Sequence, residues 1–346
     1  MSKSKYKSLL LAALICLGTN AALAQSSASS EQFAASESAP VSQSKPAMLK
    51  RPKIGLALGG GGARGAAHVG VLKTLIQEGV PIDMIAGTSI GSVVGGLYSS
   101  GMSPDAMADK FSSAEMMKEF SPMPIALRVI LAPIIVLPRL FKHPYDGLYK
   151  GVQFRNYING LVPQQALNIE NMRVPFAAVV TNVVNGKSDR ITHGPLGTAV
   201  QASTAVPGLR KPVEVDNQLF CDGGLINNLP VNHVRDMGAD FIIAVNIDEP
   251  LRDVPLKTFR KMGSMSKQAL RLQLFAQDDA SGKTADVVIH PDTGGIGLIS
   301  RSANDAKVGL EAGQQAAKAA MPEIRAKLKA LGIDLDANSN LKAAGR

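Results

Sequence analysis

The chain has 346 residues, of which 45% are hydrophobic and 19% charged, so it can form one large domain or two small ones with a buried core. Aromatic residues make up only 4%, tryptophan is absent and there are 33 glycines, which favours an α/β fold with close helix–sheet packing over an aromatic-rich β-sandwich. The formal net charge of +9 is compatible with an anionic membrane surface, although a basic balance of this size is also typical of a solvated surface.

Residues 1–24 have the three parts of a secretory signal peptide. Three lysines within residues 1–7 precede an apolar run over residues 9–17, and Ala22-Leu23-Ala24 has the small-x-small pattern of a cleavage site. Cleavage there lowers the net charge from +9 to +6, because three lysines and no acidic residue are removed. We therefore predict an exported protein, periplasmic or secreted, that can associate with a membrane.

Removal of the signal peptide also removes Cys16 and leaves Cys221 as the single cysteine, which excludes an internal disulfide. Cys221 lies in an apolar run and is interpreted as a small buried hydrophobic residue. Residues 25–50 are rich in Ser, Ala, Gln and Pro and are predicted to form a flexible linker.

The first regular structure that the sequence predicts is a β-α-β unit. Apolar residues 53–58 predict a strand, the glycine loop Gly59-Gly60-Gly61-Gly62-Ala63-Arg64-Gly65 follows, and residues 66–76 have apolar residues at helical spacing. A second strand is predicted over residues 82–86 and a helix of small residues over 92–97. This order predicts an α/β fold, with a central, mostly parallel sheet, helices on both faces and a site at the carboxyl ends of the strands.

Between the second strand and the next helix lies Gly87-Thr88-Ser89-Ile90-Gly91, the G-x-S-x-G pattern of a nucleophile elbow. The turn is tight, so its flanking residues need to lack side chains, and the serine hydroxyl is held above the sheet. The following helix directs its N-terminal N–H groups towards that oxygen. The alternative is a plain strand-to-helix turn, because the pattern also arises by chance in segments rich in Gly and Ser.

The glycine loop admits two interpretations. Residues 60–65 match G-x-G-x-x-G, the dinucleotide-binding pattern, and Asp83 lies at about the distance of its ribose-binding acid. Asp83, however, begins the second strand instead of ending it, and the serine turn occupies the place of the ribose. The alternative is an oxyanion hole formed by backbone N–H groups of the loop, and the elbow on the neighbouring strand favours it.

Residues 111–165 interrupt the regular pattern and are predicted to be an apolar cap inserted into the domain. The part from Pro124 to Phe141 is strongly apolar, but two internal prolines break it, and it is too short for a membrane-spanning helix. Two interpretations stay open. It is a peripheral membrane contact with its two arginines at the lipid head groups, or it is ordinary cover for the core.

The α/β pattern resumes after residue 175. Strands are predicted over residues 176–183, 218–221, 241–246 and 285–290, and helices over 196–205, 230–237 and 305–331. Asn185-Gly186 predicts a hairpin turn. Residues 336–346 are predicted to be a disordered tail.

A serine hydroxyl needs a base to act as a nucleophile at neutral pH. None of the five histidines lies in a sequence context that marks it as this base. Asp222 ends a predicted strand, and the two glycines after it leave its carboxylate unhindered, so we expect it at the same sheet edge as Ser89. An Asp-Gly turn at the end of a strand is common, and the inference therefore depends on the elbow and the glycine loop as well.

The glycine loop, the elbow and Asp222-Gly223-Gly224 resemble, in this order, the motifs of the patatin-like phospholipase family. Ala202-Ser203-Thr204-Ala205-Val206-Pro207-Gly208 also looks like the family's segment before the aspartate strand, and the pattern is most similar to bacterial members related to the neuropathy-target-esterase branch. The resemblance covers residues 54–248 and implies the family's three-layer architecture for this catalytic domain. Residues 249–335 would then form a C-terminal α/β extension.

The resemblance implies a Ser–Asp dyad, in which Ser89 attacks an ester carbonyl and Asp222 accepts its proton and returns it to the leaving alcohol. N–H groups of the loop from Gly60 to Ala63 would hold the oxyanion, and no metal or cofactor is needed. His68 would have a structural role. The residues that the resemblance assigns to the support of these motifs are Arg64, Gly65, Gly87, Gly91, Gly223 and Gly224.

The sequence therefore predicts an exported serine acyl hydrolase that cleaves phospholipids, lysophospholipids or simpler esters in lipid catabolism. It indicates no nucleic-acid partner and does not reveal protein partners or head-group preference. Two other classes stay open. One is a non-catalytic membrane-associated scaffold, against which the intact Ser89 and Asp222 argue. The other is a nucleotide-binding oxidoreductase, against which the missing acid at the end of the second strand argues.

Overall fold

A computed structural model describes residues 51–121, 147–261 and 263–336 of the chain. The predicted signal peptide (1–24), the linker (25–50), the apolar segment from Pro124 to Phe141 and the tail after Asp336 lie outside the described residues. They therefore stay predictions of the sequence.

The described residues form one mixed sheet and a set of helices around it. The strands are β1 (Ile54–Leu58), β2 (Met84–Thr88), β3 (Phe176–Asn182), β4 (Lys187–Ile191), β5 (Val213–Val215), β6 (Gln218–Asp222), β7 (Phe241–Val245) and β8 (Val287–Ile289). The helices are α1 (Ala66–Gln77), α2 (Ile90–Ser99), α3 (Pro104–Ser112), α4 (Glu115–Phe120), α5 (Val152–Leu161), α6 (Leu196–Ser203), α7 (Val231–Asp236), α8 (Ser264–Gly282) and α9 (Ala303–Ala330).

Each strand and helix that the sequence predicted is present, with ends shifted by a few residues. The predicted turn at Gly186, where φ is +69°, joins β3 to β4 in a hairpin. Six elements were not predicted individually: β4, β5, α3, α4, α5 and α8. Of these, α4 and α5 lie inside the predicted insertion, on either side of the residues that the structure does not describe.

The strands follow the order β5-β6-β3-β2-β1-β7-β8, and β4 pairs with β3 in addition. Strands β1, β2, β3, β7 and β8 run parallel to one another, whereas β4, β5 and β6 pair antiparallel with their neighbours. The prediction of a central, mostly parallel sheet is therefore confirmed, with an antiparallel portion beside β3.

The two faces of the sheet carry side chains of different size. The face towards α7 is lined by alanines, among them Ala57, Ala86 and Ala244, which let this short helix approach the strands closely. The opposite face presents larger side chains, such as Leu56 and Ile243, to a thick core shared with α2, α6 and α9. Helices thus cover both faces, as predicted, and the small-residue composition is concentrated where α7 packs.

The C-terminal residues complete this same sheet and helical layer. Strand β8 pairs with β7, and α9 crosses α1 at close range. At the crossing Gly313 lies against the main chain of Ala67, and Gly70 lies against the main chain of Leu310. The absence of side chains at these two glycines is what allows the two helix backbones to touch.

We expect Gly313→Ala to destabilise the fold by about 1–3 kcal/mol, because the added methyl group would overlap the main chain of Ala67, which cannot move aside. The matched control is Gly160→Ala in α5, an exposed helical position with open space around it, where the better helix propensity of alanine should add up to about 1 kcal/mol. Urea unfolding of both variants measures the difference. Equal stabilisation by the two substitutions would contradict the close helix contact.

Candidate active site

The turn after β2 has the backbone geometry of a nucleophile elbow. Ser89 has φ +52° and ψ −121°, a conformation that a residue with a side chain adopts only under strain. A side chain at Gly87 would overlap the main chain of Gly91, and one at Gly91 would overlap the carbonyl group of Leu58. The two glycines are therefore required by close backbone approach, and a plain strand-to-helix turn does not describe this segment.

Neighbouring hydroxyl groups hold the strained turn in place. The Ser89 N–H donates to Ser203 Oγ at 2.9 Å, and the Ser203 hydroxyl donates in turn to the Val179 carbonyl on β3 at 2.7 Å. Thr88 Oγ1 donates to the Asn227 carbonyl at 2.9 Å. Ser203 lies in the segment that resembles the family before the aspartate strand, but its sequence gives no sign that its hydroxyl supports the elbow.

Two strands end against each other beside the elbow. Val179 of β3 pairs with Thr88 of β2, and the next residue, Val180, pairs with Asp222 of β6. Both valines also pair with β4, which occupies the other edge of β3. Because a strand has only two edges, β2 and β6 share the same one, and their carboxyl ends meet between Val179 and Val180.

This arrangement corrects the reason for which Asp222 was predicted near Ser89. The prediction assumed a strand that ends at the common edge of a parallel sheet. Instead β6 runs antiparallel to β3 and towards β2. Asp222 reaches the serine because β3 is two residues longer than β2 and continues beyond its end, which leaves room for β6 on that edge.

The meeting of the strand ends places a hydroxyl and a carboxylate in contact. Ser89 Oγ donates to Asp222 Oδ2 at 2.7 Å, and Asp222 Oδ1 accepts the N–H of Gly224 at 2.8 Å. Ser89 is 8% exposed and Asp222 5% exposed. Burial raises the pKa of Asp222 to about 6, although both hydrogen bonds and the charge of Arg210 favour its ionised form.

Arg210 is a buried cation that the sequence analysis missed. Its guanidinium donates to the Phe120 carbonyl at 2.7 Å and to Thr204 Oγ1 at 2.9 Å, and it lies 4.0 and 4.9 Å from the ring centroids of Phe120 and Phe154. Burial lowers its pKa to about 10, so it keeps its charge at neutral pH and lowers the pKa of Asp222. No sequence pattern distinguishes Arg210 from the exposed arginines.

Only part of the glycine loop can donate to an oxyanion. The N–H of Gly60 donates to the Asn228 carbonyl at 3.1 Å, and the N–H of Ala63 donates to the Leu298 carbonyl at 2.8 Å, so the prediction that they are free donors is wrong. In the hydrogen bonds of the described residues, the N–H groups of Gly61 and Gly62 have no acceptor. These two groups are the remaining candidates.

Asn228 is a further residue that the sequence analysis did not single out. Its carbonyl fixes Gly60, as described above, and its Nδ2 donates to Asp248 Oδ2 at 3.2 Å and to Asp278 Oδ2 at 2.9 Å. Asp278 lies on α8. Asn228 therefore links the glycine loop to the C-terminal part of the chain, through long-range contacts that no local pattern indicates.

The Ser89–Asp222 pair opens into a cavity of about 190 Å³. Its polar end holds the pair and the glycine loop, and the rest of its wall is largely apolar, which suits a hydrocarbon chain with a polar group at one end. The apolar lining residues are Phe120, Val206, Pro207, Leu209, Leu225, Leu270, Leu274, Leu298 and Ile299.

The remaining motif residues have structural contacts. The His68 Nε2–H donates to the Gly59 carbonyl at 2.8 Å, and burial lowers its pKa to about 4, so the ring is neutral. Arg64 donates to the Ile296 carbonyl and pairs with Asp248 and Glu249, each at 3.2 Å. Among the described histidines, which exclude His143, none forms a hydrogen bond with the elbow serine.

Asp83 does not lie where a ribose-binding acid would be needed. Its carboxylate pairs with Arg51 and accepts the N–H of Ile54, the first residue of β1. It therefore lies at the amino ends of β1 and β2, whereas the glycine loop follows the carboxyl end of β1. The geometry thus supports the oxyanion-hole interpretation of the loop over the dinucleotide interpretation.

Comparison with known proteins gives a consistent picture. A family model described as patatin-like phospholipase matches residues 56–235. An uncharacterized NTE family protein of Mycobacterium tuberculosis is 37% identical over 197 residues, which are 57% of this chain and 49% of that protein. A patatin-like phospholipase domain-containing protein of Caenorhabditis elegans is 35% identical over 56% of this chain and 13% of its own.

A lysophospholipase of Mycosarcoma maydis is 34% identical over 56% of this chain and 10% of its own length. The alignments thus span about half of the mycobacterial protein and a much smaller part of the longer relatives. Among solved structures, VipD from Legionella pneumophila has a TM-score of 0.42 at 15% identity, covering 78% of this chain and 67% of that one.

We expect Asp222→Asn to be more stable than the wild type at neutral pH. Because burial raises the pKa of Asp222 from its ordinary 3.8 to about 6, the folded wild type loses stability as the pH rises from about 4 to about 6. The amide has no proton to lose and escapes this effect, so the difference should reach at most about 3 kcal/mol above pH 6.

Urea unfolding of both proteins at a series of pH values between about 4 and 8 measures this difference. The control is Asp216→Asn, at an exposed position. A gap between Asp222→Asn and wild type that stays constant with pH would contradict the raised pKa.

Proposed function

The chain belongs to the patatin-like phospholipase family, and from this premise we propose that it hydrolyses carboxylic esters of lipids: phospholipids, lysophospholipids or simpler esters. The observation that carries the proposal is the 2.7 Å hydrogen bond from Ser89 Oγ to the buried carboxylate of Asp222. The lysophospholipase among the relatives supports this substrate class. The predicted signal peptide supports action after export, in lipid catabolism outside the cytoplasm.

In the proposed reaction Ser89 is the nucleophile and Asp222 the base. As Ser89 Oγ bonds to the acyl carbon, its proton moves to Asp222 Oδ2 and the carbonyl electron pair moves to the carbonyl oxygen. The tetrahedral intermediate collapses, its bond to the alcohol oxygen breaks, and the alcohol leaves with the proton from Asp222. Water then attacks the acyl-serine with Asp222 again as base, which releases the fatty acid and restores Ser89.

The surroundings of Asp222 suit it to this role. Burial raises its pKa to about 6, so it is a stronger base than an exposed aspartate and is still ionised at neutral pH. Arg210 and the Gly224 N–H limit this rise, because they favour the carboxylate. Without them, burial would raise the pKa further and leave less of the base ionised.

Gly61 and Gly62 would supply the oxyanion hole. Their N–H groups are the loop donors without an acceptor in the hydrogen bonds of the described residues, and both glycines line the same cavity as Ser89. Donors that are fixed before the reaction stabilise the developing oxyanion without reorganisation, and the apolar cavity wall strengthens the interaction by limiting water. The acyl chain would occupy the apolar part of the cavity.

We expect Ser89→Ala to lower kcat/KM for a short-chain chromogenic ester and for a phospholipid by at least about 10³-fold, because no other nucleophile is in place. Asp222→Asn should lower it by about 10²–10⁴-fold, because the amide cannot accept the proton. The matched controls are Ser100→Ala, whose hydroxyl contacts only the Leu97 carbonyl, and Asp216→Asn, which is exposed.

Both controls should retain wild-type rates. For the wild type, kcat/KM should rise with pH and level off above about 6, as Asp222 loses its proton. Equal rates in the wild type and both site variants would contradict the dyad. A wild type that hydrolyses none of the esters would instead favour the non-catalytic scaffold.

We expect Gly61→Ala to lower kcat by about 10²-fold with little change in KM, because a displaced donor weakens the transition state more than the bound ester. At Gly61 φ is +154°, and an added methyl group would meet the Ile247 side chain. Gly79→Ala is the matched control, since its φ of +74° imposes comparable strain in open space. Urea unfolding separates a loss of kcat from a loss of fold, and an unchanged kcat would exclude this donor.

A further inference from the structure

Helix α8 lies on the protein surface with most of its apolar side chains uncovered. Of its 19 residues only Asp278 is buried. Met265 is 64% exposed and Leu272 48% exposed. A helix in a folded domain ordinarily gains its stability by burying an apolar face, so this uncovered face needs a partner. None of the helices in the described ranges is long and apolar enough to cross a bilayer.

The helix is anchored near its C-terminal end. Asp278 contacts Asn228, Gln277 Nε2 donates to the Leu225 carbonyl at 3.1 Å, and Ser281 donates to the Leu229 carbonyl. All three contacts reach the loop that follows Asp222. The N-terminal half of α8 is therefore held beside the catalytic cavity, and Leu270 and Leu274 form part of the cavity wall.

The residues leading into α8 are basic. Residues 254–277 contain five lysines and arginines and no aspartate or glutamate. Arg271 pairs with Glu249 at 3.2 Å. The other four take part in none of the ion pairs formed by the described residues. These four cations are Lys257, Arg260, Lys261 and Lys267, and all are exposed.

Exposed apolar side chains surround the mouth of the cavity next to these cations. Val206, Leu225, Leu298 and Ile299 line the cavity and are each between 37% and 46% exposed. Leu256, which begins the short 3-10 helix before α8, is 87% exposed. Cations and apolar side chains without acidic residues are the composition of segments that bind anionic lipid surfaces.

We propose that residues 256–275, together with the apolar mouth of the cavity, form a docking surface for an anionic lipid membrane. This proposal rests on the proposed lipid-ester hydrolysis. The four cations contact phosphate groups of the lipids, while Met265, Leu256 and the mouth residues enter the boundary with the acyl chains. Docking in this orientation lets a lipid pass into the cavity without crossing water. Charge complementarity and continuity with the cavity select a lipid surface over another protein.

Vesicle flotation tests the docking surface directly. The protein carries Ser89→Ala so that lipid is not consumed, and the vesicles contain phosphatidylcholine alone or with about 30% phosphatidylglycerol. We expect binding to the anionic vesicles only, reduced by about 0.5 M salt, which screens the cations. Equal binding to both vesicles, or no binding to either, would overturn the proposal.

Two pairs of variants assign the binding to this surface. Lys257→Gln with Lys261→Gln should weaken vesicle binding by about 10- to 30-fold, whereas Lys307→Gln with Lys318→Gln on α9 removes the same charge and should not weaken it. Met265→Ser should also weaken binding, and Val308→Ser, at another exposed position on α9, should not. Equal effects within a pair would overturn the proposal.

Kinetics separate this proposal from the proposed function. With Ser89 intact, the Lys257→Gln, Lys261→Gln variant should hydrolyse a soluble short-chain ester at the wild-type rate and lipid in anionic vesicles about tenfold more slowly. If no ester is hydrolysed but anionic vesicles are bound, the proposed function fails and the surface stands. Dimers that Met265→Ser separates, or cross-links from Lys261 to residues 122–146, in place of vesicle binding, would assign the surface to another occupant.

Discussion

The geometry of the candidate site depends on two strands that end against each other along one edge of β3. Thr88 and Asp222 pair with consecutive residues of that strand, so the hydroxyl that follows β2 and the carboxylate that ends β6 are brought to hydrogen-bond distance by main-chain pairing. Main-chain pairing fixes positions more firmly than a flexible loop does. The glycines of the elbow, the hydroxyl of Ser203 and the hairpin partner β4 all serve to keep this junction in place.

The same junction is electrostatically unfavourable, and the surrounding residues limit that effect. A carboxylate is removed from water at Asp222, which raises its pKa and weakens the folded state at neutral pH. Arg210 is buried nearby, and the rings of Phe120 and Phe154 cover its guanidinium. A buried cation and a buried anion that are held apart by the fold compensate each other without neutralising the base. Strain at Ser89 and burial at Asp222 are thus both concentrated where the chemistry is proposed.

The sequence was sufficient for the parts of this architecture that depend on local pattern. Buried parallel strands appear as apolar runs, and the elbow and glycine loop appear as glycine patterns, so the order of elements and the Ser89–Asp222 pair were predicted. The antiparallel direction of β6 was not, because strand direction depends on a partner far away in the chain. For the same reason the sequence could not reveal that distant carbonyls occupy the N–H groups of Gly60 and Ala63. Helix α8 escaped prediction because a helix without a buried face has no regular apolar period.

The junction of β2 and β6 also bears on biosynthesis. Ser89 and Asp222 are 133 residues apart in the chain, and they meet only after β6 has paired with the end of β3. Contacts between residues so distant in sequence are slow to form, because a long loop has to close first. A nascent chain, or one that crosses a membrane unfolded, therefore has a serine without its base. Folding itself acts as the activation step, so a lipid hydrolase of this design spares the membranes of the compartment that synthesises it without an inhibitory propeptide.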